Sequence, residues 1–183
     1  MKKIMFNDKY ALTAAVLNGW KTQTRRIVPD KLLLKYGHNK HNDRRDDIIR
    51  DAPFIVGEEV AVAMAYKGFY GDFKEPLRTE LVDSAGFFNK MFVRAELMPH
   101  RILIENVKVE RLQDISYEDA MAEGIFRWQG TTLYHYDRHS EFPENSKYKT
   151  YYDAFGGLID KTCGKGTWAK NPWVYCYTFK LIK

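Results

Sequence analysis

The N-terminal part of the chain passes from helical hydrophobic spacing into a polar, extended segment. Apolar positions at helical intervals follow Asn7 and Asp8, and they predict an amphipathic helix that one of these residues caps and that ends near Asn18. Gly19 predicts the end of the helix, because glycine adopts the left-handed conformation after a helix at little cost. The helix therefore leads directly into the polar run that extends to Arg26.

Two short strand patterns lie in the middle of the chain. Small apolar residues at 60–63 follow a turn of Gly57 and two glutamates, and they predict a buried strand. Residues 91–93 predict a second, shorter strand, which Pro99 ends.

The longest strand pattern covers residues 101–112. Its alternation of apolar and polar positions changes parity at Glu105 and Asn106, which predicts either a β-bulge there or two successive strands. A last strand is predicted after Pro172. Almost every position of that strand is apolar or aromatic, as expected for a strand that is covered on both faces.

Two further helices are predicted. One begins after Ser116, which is a good N-cap, and ends at Gly124, so that Glu123 lies at its C-terminus. The helix dipole opposes a carboxylate there by roughly 0.3–1 kcal/mol. Glu123 is therefore either a functional residue or a solvated side chain that tolerates a small cost. The other helix covers residues 148–162.

The polar run after Gly19 contains the residue types that nucleophilic catalysis needs. A threonine hydroxyl is a weak nucleophile unless a base lies beside it, and a lysine becomes such a base when burial or other cations lower its pKa. Lys21, Thr24, Arg25 and Arg26 supply these groups within a few residues. The alternative interpretation is an edge strand whose charges are solvated.

Composition sets wider limits. The chain has 183 residues, 45% of them hydrophobic, which predicts a single globular domain over 1–183. The net charge of +5 favours anionic partners only mildly. Cys163 and Cys176 fit no metal or redox spacing and predict buried thiols in a reducing cytoplasm. The sequence shows no apolar run long enough for a membrane span, no signal-peptide core and no cofactor motif.

Three segments are predicted to be insertions. Residues 29–55 are densely charged and are expected to lie at the surface and contribute little to the core. Residues 65–92 are rich in aromatics, which either stack on bases or attach the loop to the core. Residues 126–147 predict a long polar loop.

Two histidine pairs lie in these insertions. His38 and His41 do not have the spacing of a helical pair, and His135 and His139 have it only if their loop is helical. Neither pair has a third ligand nearby, so the sequence predicts no metal site.

Three blocks of the sequence resemble the ASCH domain, a branch of the PUA-like β-barrel superfamily, in the subgroup that phages and prophages often carry. The first block is the pattern Gly19-x-Lys21-x-x-Thr24-x-Arg26. The second is residues 107–116 with the Ala-x-x-Glu-Gly that follows, and the third is residues 171–174. The resemblance implies an α+β fold: a small, mixed, largely antiparallel β-barrel flanked by about three helices, with the insertions on one rim.

The resemblance also implies a function. Some small ASCH proteins remove the acetyl group from acetylated cytidine with a lysine, a threonine and a glutamate. These roles transfer to Lys21 as the base, Thr24 as the nucleophile and Glu123 as the proton relay. Arg26 would stabilise the oxyanion or a phosphate, and Gly19, Arg25 and Arg26 are the expected residues for binding substrate or nucleic acid.

Two other functions stay open at this stage. PUA-like proteins commonly bind RNA or modified nucleotides without turnover, and a phage accessory protein could use its surface for a protein partner. The hydrolase hypothesis makes a geometric prediction, namely that Lys21, Thr24 and Glu123 converge in one pocket at the barrel mouth. It also requires a partly neutral Lys21, so Glu123 is expected to be protonated or a few ångströms away.

Overall fold

A mixed five-stranded sheet organises the protein. The computed structural model describes residues 1–36, 45–127, 132–136 and 148–182. In spatial order the strands of the sheet are β1 (Lys2–Ile4), β3 (Glu59–Val62), β4 (Arg101–Arg111), β7 (Trp173–Leu181) and β2 (Gln23–Ile27). β1 runs parallel to β3, and the other neighbours are antiparallel. The α+β class and the largely antiparallel sheet are therefore confirmed.

The sheet ends at β1 on one side and at β2 on the other. Among the described residues these two strands do not pair with each other. The sheet is open in this part of the chain, and the closed barrel that the resemblance implies stays a prediction.

Helices of different lengths cover the sheet. The described helices are α1 (Leu12–Leu17), α2 (Asp30–Tyr36), α3 (Arg45–Arg50), α4 (Leu77–Val82), α5 (Tyr117–Ala122), α6 (Tyr151–Cys163) and α7 (Thr167–Lys170), and a small hairpin joins β5 (Phe126–Arg127) to β6 (Tyr134–His135). α1, α5 and α6 are the three helices expected from the sequence, and the other four are short additions. In the described ranges no helix is long and apolar enough to cross a membrane.

The predicted β-bulge is confirmed. Ile104 pairs with Phe179 and Asn106 pairs with Thr178, so Glu105 is an extra residue on β4. Beyond the bulge Val107 and Val109 are buried. Because side chains alternate between the faces of a strand, Lys108 and Glu110 lie on the opposite face. That face carries the polar network described below.

Two local predictions are wrong. α1 begins at Leu12, because residues 8–11 form a turn in which Ala11 takes a left-handed conformation (φ 55°). The side chain of Asn7 accepts a hydrogen bond from the backbone N–H of Lys9 inside this turn and does not cap the helix. Residues 91–93 are not a strand, because a 3-10 turn occupies Lys90–Phe92.

The aromatic insertion contributes to a second hydrophobic cluster, which packs against β3. Tyr66, Leu81 and Met98 are buried together with Ala61 and Ala63 of the β3 region. Aromatic rings of the insertion pack on this cluster and attach the loop to the core, which is one of the two roles predicted for them. Phe69, Phe73 and Phe87 are partly buried there.

The charged tract contributes more to the core than its composition predicts. α2 buries none of its side chains, as expected, but Ile48 of α3 belongs to the main core and is 8% exposed. Its carbonyl accepts a hydrogen bond of 3.2 Å from the hydroxyl of Tyr175. Other apolar side chains of the tract are partly buried against the same core, among them Leu32, Ile49 and Phe54. His38 and His41 lie outside the described residues.

Replacing Ile48 by alanine is expected to lower the free energy of unfolding by about 2–5 kcal/mol, because it removes buried methyl groups and leaves a cavity. Leu34, which is 78% exposed in α2, is the matched control, and its replacement by alanine should cost under about 0.5 kcal/mol. Urea unfolding of both variants makes the comparison. Equal values would show that α3 is not part of the core.

Candidate active site

The turn after α1 directs Lys21 into the protein. Gly19 has a φ of 72°, the left-handed conformation expected for it. The backbone N–H groups of Trp20 and Lys21 both donate to the carbonyl of Ala15. The next N–H, that of Thr22, donates to the last carbonyl of α5. The turn is thus bonded to two helices, and the Lys21 side chain is only 2% exposed.

Lys21 meets Glu123 inside the protein, although 102 residues separate them. The Lys21 Nζ lies 2.5 Å from Glu123 Oε2 and donates at 2.8 Å to the Glu123 carbonyl oxygen. That carbonyl is free to accept because the last carbonyls of a helix have no partner within it. The expected approach of Lys21 to Glu123 is confirmed, and its placement at a barrel mouth stays a prediction. The alternative that Glu123 stays a few ångströms away is wrong.

The environment of Lys21 favours its neutral form more than water does. Burial lowers the pKa of the Lys21 amine below its usual value, although the Glu123 carboxylate acts in the opposite direction. The cations Arg26 and Arg25 lower the pKa of the amine further.

Lys21, Thr24 and Glu123 all line one cavity of about 260 Å³. Thr24 is 4% exposed, and within the described part of the chain its hydroxyl makes no hydrogen bond. One face of α6 forms an opposite wall, because its lining side chains recur at helical spacing. Those side chains are Phe155, Leu158, Ile159, Thr162 and Cys163, and the N-terminal segment adds Met5, Phe6, Asn7 and Leu12.

Arg25, one of the expected binding residues, lines the cavity, but its guanidinium is already paired with carboxylates. Its side chain is 1% exposed, and its Nη2 lies 2.5 Å from Glu110 and 2.7 Å from Asp119. Its Nη1 lies 3.2 Å from Glu123. Although burial lowers it, the carboxylates of Glu123 and Glu110 raise the pKa of Arg25 above its usual value. Arg25 therefore carries a permanent charge that holds Glu123 in position.

Two polar residues complete this network, and neither was identified from the sequence. Lys108 Nζ lies 2.8 Å from Asp119 and 3.1 Å from Glu110. Gln23 donates to Asp119 and accepts from Arg25. The sequence pattern could have identified Lys108, because Lys108 and Glu110 are polar residues on one face of a central strand. Such residues need partners when helices cover that face.

Gly19 and Arg26, the other two expected binding residues, differ in their positions. Gly19 does not line the cavity and acts through its backbone conformation. Arg26 lines the cavity, and its Nη2 donates to the carbonyl of Met5 at 2.6 Å.

One group of potential metal ligands lies next to the site, formed by Glu110, Asp119 and Cys176. Both carboxylates already bind Arg25 and Lys108, and burial raises the pKa of the Cys176 thiol to about 12. The two carboxylates are thus balanced by two cations, as in an ion-pair network. A metal would have to displace two cations and deprotonate that thiol.

The remaining sequence candidates lie outside the cavity, with one exception. His135 is buried in β6, where burial lowers its pKa, and His139 lies outside the described residues. Cys176 is buried, as predicted, but Cys163 is exposed at the end of α6 and lines the cavity. The prediction of two buried thiols is therefore wrong for Cys163.

Comparisons with protein-family models, with curated proteins and with solved structures found no match to this chain. The function must therefore be argued from the chemistry of the cavity. That chemistry consists of a buried amine, a positioned carboxylate and a hydroxyl that has no hydrogen-bond partner among the described residues.

Proposed function

We propose that the protein is an ASCH-like hydrolase that removes the acyl group from an N-acylated nucleoside, with acetylated cytidine as the first candidate substrate. One observation carries the proposal. A buried lysine with a lowered pKa is held against Glu123 in the same cavity as the Thr24 hydroxyl. This is the set of groups that an activated threonine nucleophile requires.

In the first half of the reaction the Thr24 oxygen attacks the carbonyl carbon of the amide. Neutral Lys21 takes the hydroxyl proton as the new C–O bond forms. Two N–H groups of the Lys21 amine donate to Glu123, one to Oε2 and one to the backbone carbonyl oxygen. A further position of this tetrahedral nitrogen can therefore carry the lone pair that accepts the proton.

The tetrahedral intermediate then breaks the C–N bond. The amine of the nucleoside leaves with the proton from Lys21, and Thr24 retains the acyl group as an ester. Water, deprotonated by Lys21, then attacks this ester. As the bond between the acyl carbon and the Thr24 oxygen breaks, Lys21 returns the proton to that oxygen, which releases a carboxylic acid and free Thr24. Glu123 keeps the amine oriented throughout, and it stabilises the ammonium form that appears in each half of the reaction.

The size of the cavity supports a small substrate. Sites for drug-sized ligands usually have a volume of about 300–1,000 Å³. A cavity of about 260 Å³ therefore suits one base or one nucleoside better than a polynucleotide. Its apolar wall of Phe155, Leu158 and Ile159 offers a surface for a base or an acyl group.

A panel of N-acylated nucleosides, followed by chromatography of the released nucleoside, tests the proposal. We expect turnover of at least one member, with acetylated cytidine tested first. The Lys21→Ala variant is the control and should show no turnover. The hydrolase proposal is wrong if the parent hydrolyses no member at any pH while the parent and Lys21→Ala bind RNA equally. RNA binding without catalysis would then be the better proposal.

The rate of hydrolysis is expected to rise with pH on the acidic side of its profile. The neutral amine of Lys21 is the base, and burial lowers the pKa of this amine, so its neutral form gains population at a lower pH than for an exposed lysine. At higher pH the rate should level off once the amine is fully neutral, because the proton that Lys21 passes to the leaving amine comes from Thr24 during each turnover. A pH-independent rate would contradict a lysine base.

A further inference from the structure

The charges that surround the cavity do not balance. Lys21, Arg25 and Lys108 each lie within 3.2 Å of a carboxylate of the network. Arg26 lines the same cavity, yet among the described residues no carboxylate lies within 4 Å of it. The three carboxylates of the network, those of Glu110, Asp119 and Glu123, are already matched by the other three cations.

The contacts of Arg26 hold it in place without neutralising it. Its Nη2 donates to the carbonyl of Met5, and its guanidinium carbon lies 5.8 Å from the centre of the Phe6 ring. In the described part of the chain its side chain makes no other hydrogen bond, so several N–H groups stay available. Burial lowers the pKa of Arg26, and the Glu123 carboxylate acts in the opposite direction.

A guanidinium in this situation is suited to an anionic oxygen group. Its planar arrangement of N–H donors matches a carboxylate or a phosphate, and charge-assisted hydrogen bonds are about twice as strong as neutral ones. A bound anion would offset the unpaired charge of Arg26. It would lie in the same small cavity as Thr24, and therefore on the same molecule as the reacting amide.

We propose that Arg26 forms an anionic subsite and that the natural substrate carries a phosphate monoester or a carboxylate in addition to its N-acyl group. The substrate class then becomes an acylated nucleotide, or a nucleoside whose acyl chain ends in a carboxylate. The reaction assignment rests on the proposed function, whereas the anion site rests on Arg26 alone.

Binding to the resting protein tests the anion site without catalysis. Isothermal titration calorimetry compares cytidine with cytidine 5′-monophosphate on the parent and on the Thr24→Ala variant. We expect the nucleotide to bind about ten- to a hundredfold more tightly to both, because hydrogen bonds to charged groups contribute about 1.5–3 kcal/mol. This preference should decrease as the salt concentration rises.

Substitution of Arg26 identifies the residue responsible. Arg26→Met should abolish the preference for an anionic ligand, and Arg26→Lys should keep part of it because the charge remains. Arg78→Met is the matched control, since Arg78 is a surface residue paired with Glu75, and it should bind as the parent does. If Arg26→Met fails to fold, Arg26→Lys and the salt dependence of the parent still test the subsite.

Turnover then distinguishes the two sources of the anion. If the parent prefers acetylated cytidine 5′-monophosphate to acetylated cytidine, the anion is a phosphate. If it prefers succinylated to acetylated cytidine, the anion is a carboxylate on the acyl chain. Binding without any turnover would refute the hydrolase and keep the subsite. Equal binding of neutral and anionic ligands to the parent, or an unchanged preference in Arg26→Met, would overturn the subsite.

Discussion

Replacing Thr24 by alanine is expected to reduce the rate of acyl hydrolysis by at least about a thousandfold, because it removes the proposed nucleophile. Thr24 lies in the cavity with Lys21 and Glu123, and its hydroxyl has no structural hydrogen bond among the described residues. The loss should therefore appear in kcat and leave substrate binding nearly unchanged. Steady-state kinetics on the best substrate of the panel, with binding to the inactive variant measured separately, checks both parts.

Two controls show whether this loss is chemical. Thr24→Ser keeps the hydroxyl and should retain measurable activity, and the acyl-enzyme should be detectable by mass spectrometry when the parent is quenched during turnover. The thermal unfolding of Thr24→Ala should stay close to that of the parent, because only a small side chain is lost. If Thr24→Ala keeps parental activity, Thr24 is not the nucleophile, and direct attack by water would replace the covalent route.

Replacing Arg25 by methionine is expected to destabilise the protein by about 3–5 kcal/mol. Removing one partner of a buried ion pair leaves the opposite charge buried without compensation. Here three carboxylates, whose side chains are only 13%, 19% and 5% exposed, would be left with two cations, Lys21 and Lys108; they are those of Glu110, Asp119 and Glu123. Urea unfolding near neutral pH measures the effect.

The matched control is Arg78→Met, because Arg78 also pairs with a carboxylate but at the surface, where its side chain is 47% exposed. Exposed pairs contribute about 0–1 kcal/mol, so this variant should be nearly as stable as the parent. Adding Glu110→Gln to Arg25→Met should restore part of the lost stability, because it removes one of the three negative charges that then face two cations. Similar values for Arg25→Met and Arg78→Met would show that the network contributes little to stability.

The sequence determined the features that depend on neighbouring residues. Ser116 begins α5 because its side chain accepts a hydrogen bond from the N–H of Asp119, and Gly19 ends α1 because it can take a positive φ. The bulge at Glu105 was predicted because the alternation of apolar and polar residues changes parity there. One extra residue keeps the apolar side chains on the same face of the strand. The predicted N-cap of α1 at Asn7 or Asp8 is wrong, because these residues are as suitable for a turn as for an N-cap.

Only the tertiary structure decided which charged residues are paired with buried carboxylates. Arg25 and Arg26 are adjacent cations in the sequence, but alternation along β2 directs them to different partners. Arg25 faces the carboxylates of β4 and α5, and Arg26 extends toward Met5. The sequence placed Lys21 at a corner and Glu123 at a helix end. Their contact across 102 residues arises because the turn after α1 bonds to the end of α5, and that pairing depends on how the helices pack on the sheet.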